Sequence, residues 1–149
     1  MKYIAYGSNM VAEQMAFRCP NARLIGTGYL PNHQFEFFLH ATVIRKRVDG
    51  PGVPVAVWEI DEADEHSLDL YEGYPHYYIK RQATVHMDDG SQIKGMLYVM
   101  NLFHGNLPDK HYYDGIRDAY LALGLGHEID RVLVRAFVRA KLREEYCSR

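Results

Sequence analysis

At 149 residues the chain is long enough for a single domain, residues 1–149, to bury a hydrophobic core without metal or disulfide staples. Hydrophobic residues make up 48% and charged residues 24%, with 12 tyrosines, a composition that excludes an intrinsically disordered chain. Lys and Arg total 17 against 19 Asp and Glu, so the formal charge of −2 provides no global field for nucleic acid or an acidic membrane surface.

Residues 2–6 read as a strand that Gly7-Ser8-Asn9 breaks; residues 10–18 then look helical, with Asn9 as N-cap and Pro20 beyond the end. Residues 23–30 and 34–39 read as strands separated by Pro31-Asn32, followed by a Gly/Pro-rich loop from Arg45 to Pro54. Strand character returns over 53–60 with Val55, Val57 and Trp58. Asp61 is placed to cap a helix over 62–71, Asp64 suits its first turn, and Gly73 ends it. Residues 78–87 and 92–100 are rich in β-branched and aromatic side chains, and Asp88-Asp89-Gly90 joins them as a hairpin. Residues 110–123 form a predicted helix closed by Gly124. A second C-terminal helix is predicted over 128–145, with Ile129, Leu133, Ala136, Phe137, Ala140 and Leu142 near helical spacing. About six strands with irregularly placed helices do not alternate as βαβ units. They predict an α+β fold: a mixed, largely antiparallel β-barrel or sheet with peripheral helices.

The opening MKYIAYGSN contains no apolar leader, and no window holds the ~18 apolar residues of a membrane span. Cys19 and Cys147 form no CxxC pair and have no local feature that lowers a thiol pKa. A reducing cytoplasm is the expected compartment, with one disulfide left open. The eight histidines are scattered, HExxH is absent, and His104 and His111 supply no short ligand set, so no metal site is expected. The short runs Arg45-Lys46-Arg47 and Lys80-Arg81 read as solvated faces.

Two stretches can carry chemistry. Gly7 has no β-carbon, so a chain turning there can bring backbone N–H groups close to a ligand, and the helix start after it adds unpaired donors. Such a loop can hold a carboxylate, a phosphate or a developing oxyanion; a purely structural turn is the competing reading. GxxxxGK[ST] and GxGxxG are both absent. Ser8 as a nucleophile would lack the GxSxG elbow and an assignable Asp/His pair. The second stretch is Leu68-Asp69-Leu70-Tyr71-Glu72-Gly73. Leu68 and Tyr71 are three apart and predicted to enter the core together. Glu72 falls at a helix C-terminus, where the dipole disfavours a carboxylate, and Tyr71, Tyr74, Tyr77 and Tyr78 could enclose it. Both effects raise its pKa toward the range of a general base that later acts as an acid. An exposed acid in the last turn is the competing reading, and Asp69 is a rival carboxylate expected to be solvated or capping its surroundings.

Tyr3-Ile4-Ala5-Tyr6-Gly7-Ser8-Asn9-Met10 resembles the YxxYGSNL opening of the gamma-glutamylcyclotransferase-like family, with Met10 for the commoner Leu. Leu68 to Gly73 is similar to the family's LDxxEG segment, which carries its catalytic glutamate, and Tyr77-Tyr78 resembles the stretch that follows. Tyr112-Tyr113, Gly115 and the Gly124 turn bear a fainter likeness to its C-terminal helical region. The resemblance implies a compact mixed barrel or sheet with peripheral helices, and no metal or organic cofactor. It implies an enzyme that cyclises a γ-glutamyl amino acid, amine or related conjugate, releasing 5-oxoproline and the free amine. Glu72 is then the general acid/base, and Gly7, Ser8 and Asn9 bind the substrate's carboxylate or oxyanion. Tyr6 and Tyr78 line the pocket or orient substrate, with aromatic core packing open for each. The implied partner is a small γ-glutamyl molecule, with no nucleic acid and no membrane. The apolar faces of the C-terminal helices leave homo-oligomerisation open. A noncatalytic small-molecule-binding or scaffold protein that keeps the fold is the alternative.

Overall fold

The computed structural model describes residues 1–147, apart from the side chain of Cys147. Among the described residues seven strands form: β1 (Lys2–Ala5), β2 (Arg23–Leu30), β3 (His33–Phe38), β4 (His40–Arg45), β5 (Val53–Glu59), β6 (Tyr78–Met87) and β7 (Gln92–Met100). Five of them close into a barrel in the order β1-β5-β2-β6-β7. Every pairing around it is antiparallel except the closing one, where β1 meets β7 in parallel at Tyr3 and Met96. The interior holds Ile4, Val55, Val57 and Val85, all fully buried. At Gly28 the barrel wall is tight: a β-carbon there would lie 2.5 Å from the His86 carbonyl oxygen on β6. The mixed α+β architecture expected from the strand and helix pattern is the one observed.

The unpredicted strand is β4. It pairs with β3 in a separate two-stranded sheet, from His33–Arg45 to Phe38–His40. The reversal between them is a single residue, Leu39, at φ +67°, a conformation that usually calls for Gly or Asn. Its N–H donates to the Asn106 carbonyl at 3.0 Å. The turn is thus held from outside, and no local turn residue marks it.

Among the described residues four α-helices surround the sheets: α1 (Ala12–Arg18), α2 (Glu62–Glu72), α3 (Lys110–Ala122) and α4 (Arg135–Cys147). The expected helix over 10–18 is divided. Ser8–Met10 form a 3-10 turn, and α1 follows Val11 without a side-chain cap. Asn9 is buried inside the turn, so it does not serve as an N-cap. The predicted helix over 128–145 is also composite, with a 3-10 turn at Gly126–Glu128 and a π-helical stretch at Ile129–Val134 before α4. The wider winding lets neighbouring Val132 and Leu133 both bury. α4 is fastened to the β3–β4 hairpin by Arg139 and Arg143, which contact the two oxygens of buried Glu36 at 2.7 and 3.3 Å. Cys19 is a buried free thiol.

Helix α2 forms as its sequence dictates. Asp61 accepts the Asp64 N–H at 2.8 Å while the Asp64 side chain accepts the Asp61 N–H at 3.2 Å, a reciprocal capping box. Gly73 closes the helix at φ +65°, and the Tyr74 N–H reaches back to the Asp69 carbonyl at 3.0 Å. This closure makes Glu72 the last helical residue. Among the described residues no helix is long and apolar enough to cross a membrane.

Candidate active site

The end of β1, the 3-10 turn, the end of α2, the starts of β4 and β6, and α3 enclose a hollow of about 190 Å³. The six residues singled out from sequence, Tyr6, Gly7, Ser8, Asn9, Glu72 and Tyr78, all line it. More than sixty residues of chain separate the loop from the glutamate, and the barrel brings them together. The five-stranded wall orients β1 so that its C-terminal end opens into the turn, and α2 ends alongside.

The turn uses little of its own hydrogen-bonding capacity. The Met10 N–H donates to the Gly7 carbonyl at 3.1 Å. Among the described residues no acceptor takes the N–H groups of Gly7, Ser8 or Asn9, which leaves three unpaired backbone donors in a turn that lines the hollow. Asn9 is held on three sides: its Nδ2 donates to the Tyr3 hydroxyl at 3.0 Å, its Oδ1 accepts from Arg18, and its carbonyl accepts from Trp58 Nε1 at 3.1 Å. Its role is therefore to fix the turn from behind. A β-carbon on Gly7 would lie 3.7 Å from Ala41 Cβ and 3.9 Å from the Tyr112 hydroxyl, ordinary contact distances. A methyl group there would meet no clash and would take space from the hollow.

Glu72 is half-buried, and no hydrogen-bond donor reaches its carboxylate among the described residues. Burial raises its pKa to about 7, against a smaller lowering by the Arg18 guanidinium. The residue touches water through the mouth of the hollow, yet protein surrounds its carboxylate closely enough to desolvate the charge. Around it stand tyrosines. Burial first, and the charge of Glu72 next, push the Tyr3 and Tyr6 hydroxyls well above their ordinary pKa. Tyr78 and Tyr112 move the same way, chiefly through burial. All of them remain neutral hydrogen-bonding groups across the accessible pH range. Tyr6 donates to the Tyr98 carbonyl at 2.5 Å and Tyr78 to the Ala41 carbonyl at 2.6 Å, while the Tyr112 hydroxyl accepts the Ala41 N–H at 3.0 Å. Tyr6 and Tyr78 therefore line the hollow and brace its wall at once.

Other placements differ from the sequence reading. Leu68 is fully buried, but Tyr71 is 47% exposed, its ring 3.4 Å below the Arg18 guanidinium carbon instead of in the core. Tyr71 lies in the last turn of α2 and lines the hollow. Of the two readings of Asp69, engagement with its surroundings is the one observed: it accepts the Tyr98 hydroxyl at 2.6 Å and pairs with Lys80 at 2.9 Å. These bonds leave Glu72 as the carboxylate without a partner in the hollow.

Sequence reasoning missed His40, Tyr112, Tyr98 and Arg18. His40 lines the hollow with its Nδ1 2.7 Å from the Tyr77 hydroxyl, and burial lowers its pKa, so its imidazole is neutral near pH 7. Its only sequence signal was a place beside an unrecognised turn. Tyr112 lay in a stretch noted for faint family likeness, and its approach depends on how α3 packs. Among the described residues no three His, Cys, Asp or Glu side chains converge in a way that could hold a metal ion.

Comparison with known proteins bears on the family and the fold. The family model described as "Gamma-glutamyl cyclotransferase, AIG2-like" matches residues 3–116. The chain is 36% identical over 62 residues to a Drosophila melanogaster protein named "Putative gamma-glutamylcyclotransferase", covering 42% of this chain and 37% of that protein. It is 28% identical over 81 residues to a Methanocaldococcus jannaschii protein of the same printed name, covering 52% of this chain and 65% of that one. These matches span less than two thirds of either relative's length. Among solved structures, a protein called gamma-glutamyl cyclotransferase shares the fold with a TM-score of 0.77 at 24% identity, over 87% of this chain and 83% of its own. A Homo sapiens protein described as uncharacterized gives a TM-score of 0.76 at 25% identity, with coverage of 87% and 83%. With the family match extending from β1 through the start of α3 and the fold shared along most of the chain, this protein belongs to the gamma-glutamyl cyclotransferase, AIG2-like family.

Proposed function

We propose that this protein is an enzyme that cyclises a γ-glutamyl amide, releasing 5-oxoproline and a free amine, with Glu72 as general base and then general acid. The observation that carries the reading is a half-buried carboxylate with a pKa near 7 and no hydrogen-bond donor, in one hollow with three unpaired backbone N–H groups. A base poised near the working pH suits a proton transfer that must be reversed within one turnover.

In this mechanism the substrate's neutral α-amine attacks its own γ-carbonyl carbon. The new C–N bond closes a five-membered ring, and the carbonyl electrons move onto oxygen. Glu72 takes a proton from the attacking nitrogen, which has become cationic. As the oxyanion collapses, the original amide C–N bond breaks and Glu72 returns the proton to the departing nitrogen. No atom is added or lost, so neither water nor a covalent enzyme intermediate is required. Holding the substrate in its folded pose supplies much of the rate, since nucleophile and electrophile share one molecule. The N–H groups of Gly7, Ser8 and Asn9 are suited to the α-carboxylate or the oxyanion, and one such donor is worth about 3 kcal/mol in a transition state. Tyr6, Tyr78 and neutral His40 would wall the γ-glutamyl chain without adding charge.

Release of 5-oxoproline from a panel of γ-glutamyl amino acids and γ-glutamylamines tests the reading. Turnover by the wild type that disappears in a folded Glu72→Gln variant is the expected result. Near wild-type turnover by Glu72→Gln would remove Glu72 from the mechanism.

A further inference from the structure

Beside the first hollow lies a second, of about 270 Å³, and Ser8, Tyr71 and Tyr112 form walls of both. The second is chemically different, because Arg18, Gln14 and Asp109 line it where the first has tyrosines. Arg18 is positioned in advance. Its Nη1 donates to Asn9 Oδ1 and, at 3.5 Å, to Ser8 Oγ, and its plane lies on the Tyr71 ring. Among the described residues no carboxylate lies within ion-pair distance of this guanidinium, and its Nε and Nη2 have no acceptor. A planar cation held from one side, with free donors on the other, is set up to take a carboxylate.

We propose that the second hollow receives the leaving portion of the substrate, and that Arg18 selects leaving portions that are α-amino acids by pairing with their carboxylate. The inference rests on the cyclotransferase reading and narrows its substrate class. With the γ-glutamyl end beside Glu72, the scissile nitrogen falls near the shared wall of Ser8, Tyr71 and Tyr112. An α-amino acid bears its carboxylate two bonds from that nitrogen, on the side of Arg18. An amine without that carboxylate leaves the guanidinium unpaired. Asp109 and His111 are the other titratable groups facing the space. Asp109 accepts the Tyr112 N–H at 2.8 Å as the cap of α3, and its negative charge disfavours an acidic side chain on the leaving amino acid. The pairing also couples back to the chemistry. Arg18 holds the Glu72 pKa down, so a carboxylate neutralising Arg18 makes Glu72 a stronger base.

The test compares kcat/KM for γ-glutamyl-L-alanine and γ-glutamyl-L-alaninamide, which differ only in that carboxylate, in wild type, Arg18→Gln and Arg18→Lys. Because Arg18 also touches Asn9 and Ser8, its loss can slow both substrates, and the ratio between them is the reading. The acid is expected to lead by roughly tenfold or more in wild type, as for a hydrogen bond to a charged group. The ratio should fall to near one in Arg18→Gln and recover partly in Arg18→Lys. The acidic limb of kcat should also lie at higher pH for the acid than for the amide in wild type alone. Equal turnover of the two substrates by wild type, or a preference that survives Arg18→Gln, overturns this inference and leaves the cyclotransferase reading standing. Turnover of neither substrate, nor of the wider γ-glutamyl panel, removes that reading and this inference with it.

Discussion

Replacing Glu72 with glutamine should make the protein more stable, and the gain should depend on pH. An isolated glutamate titrates near 4.5, whereas Glu72 in the folded protein titrates at about 7 because burial penalises its charge. Between those values the folded protein holds a proton that the unfolded chain has released. Stability therefore falls as pH rises through that window, and the whole cost is present above about pH 7. At about 1.4 kcal/mol per pH unit the difference amounts to about 3 kcal/mol. The hollow opens to water, which screens the charge, so a gain of about 1–3 kcal/mol is expected. For a chain of this size each kcal/mol moves the melting temperature by about 2–4 °C. Glu72→Gln should thus melt about 2–12 °C above wild type near pH 8, and the gap should close toward pH 4.5. Thermal melts of both proteins across that range make the measurement. A gap independent of pH, or a variant that melts below wild type near pH 8, would refute the desolvation argument.

Four further outcomes follow from the geometry. With Glu72 as base, kcat/KM should rise with pH along a limb centred near its pKa of about 7, and Arg18→Gln should move that limb upward because the guanidinium lowers the pKa; a pH–rate profile of each protein checks it. On the proposed function Gly7→Ala should raise KM, since the methyl meets only ordinary contacts in the protein but enters the hollow; circular dichroism and kinetics separate a folding defect from that effect. Tyr6→Phe deletes a 2.5 Å bond and leaves the Tyr98 carbonyl without its donor, costing about 1–2 kcal/mol in a denaturant titration. Glu36→Ala strips Arg139 and Arg143 of their shared carboxylate and should cost about 2–3 kcal/mol, less than for a fully buried pair because those side chains are 35% and 31% exposed.

How much of this was legible in the sequence varies with how local each determinant is. Helix α2 was readable because its signals lie within its own residues: Asp61 and Asp64 at one end, Gly73 at the other. The same holds for β6 and β7, joined through Asp88-Asp89-Gly90. Strand β4 was not readable, because Leu39 makes its turn only with help from Asn106, far along the chain. Asn9 looks like a helix cap by residue type, yet Tyr3, Arg18 and Trp58 capture it from three directions. Tyr71 has core spacing relative to Leu68, but Arg18 offers its ring a cationic face at the surface. In the site, Glu72 and the Gly7 loop stood out through their motifs. His40 and Arg18 belong to no motif, and only the closed barrel brings them near.

The parallel seam between β1 and β7 has a consequence for synthesis. β1 makes its antiparallel partner only when β5 appears, and its parallel one when Met96 does. On a ribosome the Gly7 loop following β1 thus emerges long before the staves that hold it. Glu72 emerges later but still ahead of β7. The hollow stays unfinished until the last stave and then Tyr112 on α3 are in place. On the proposed function, a growing chain should therefore bind no γ-glutamyl ligand until α3 has cleared the exit tunnel, after the ring of strands has shut.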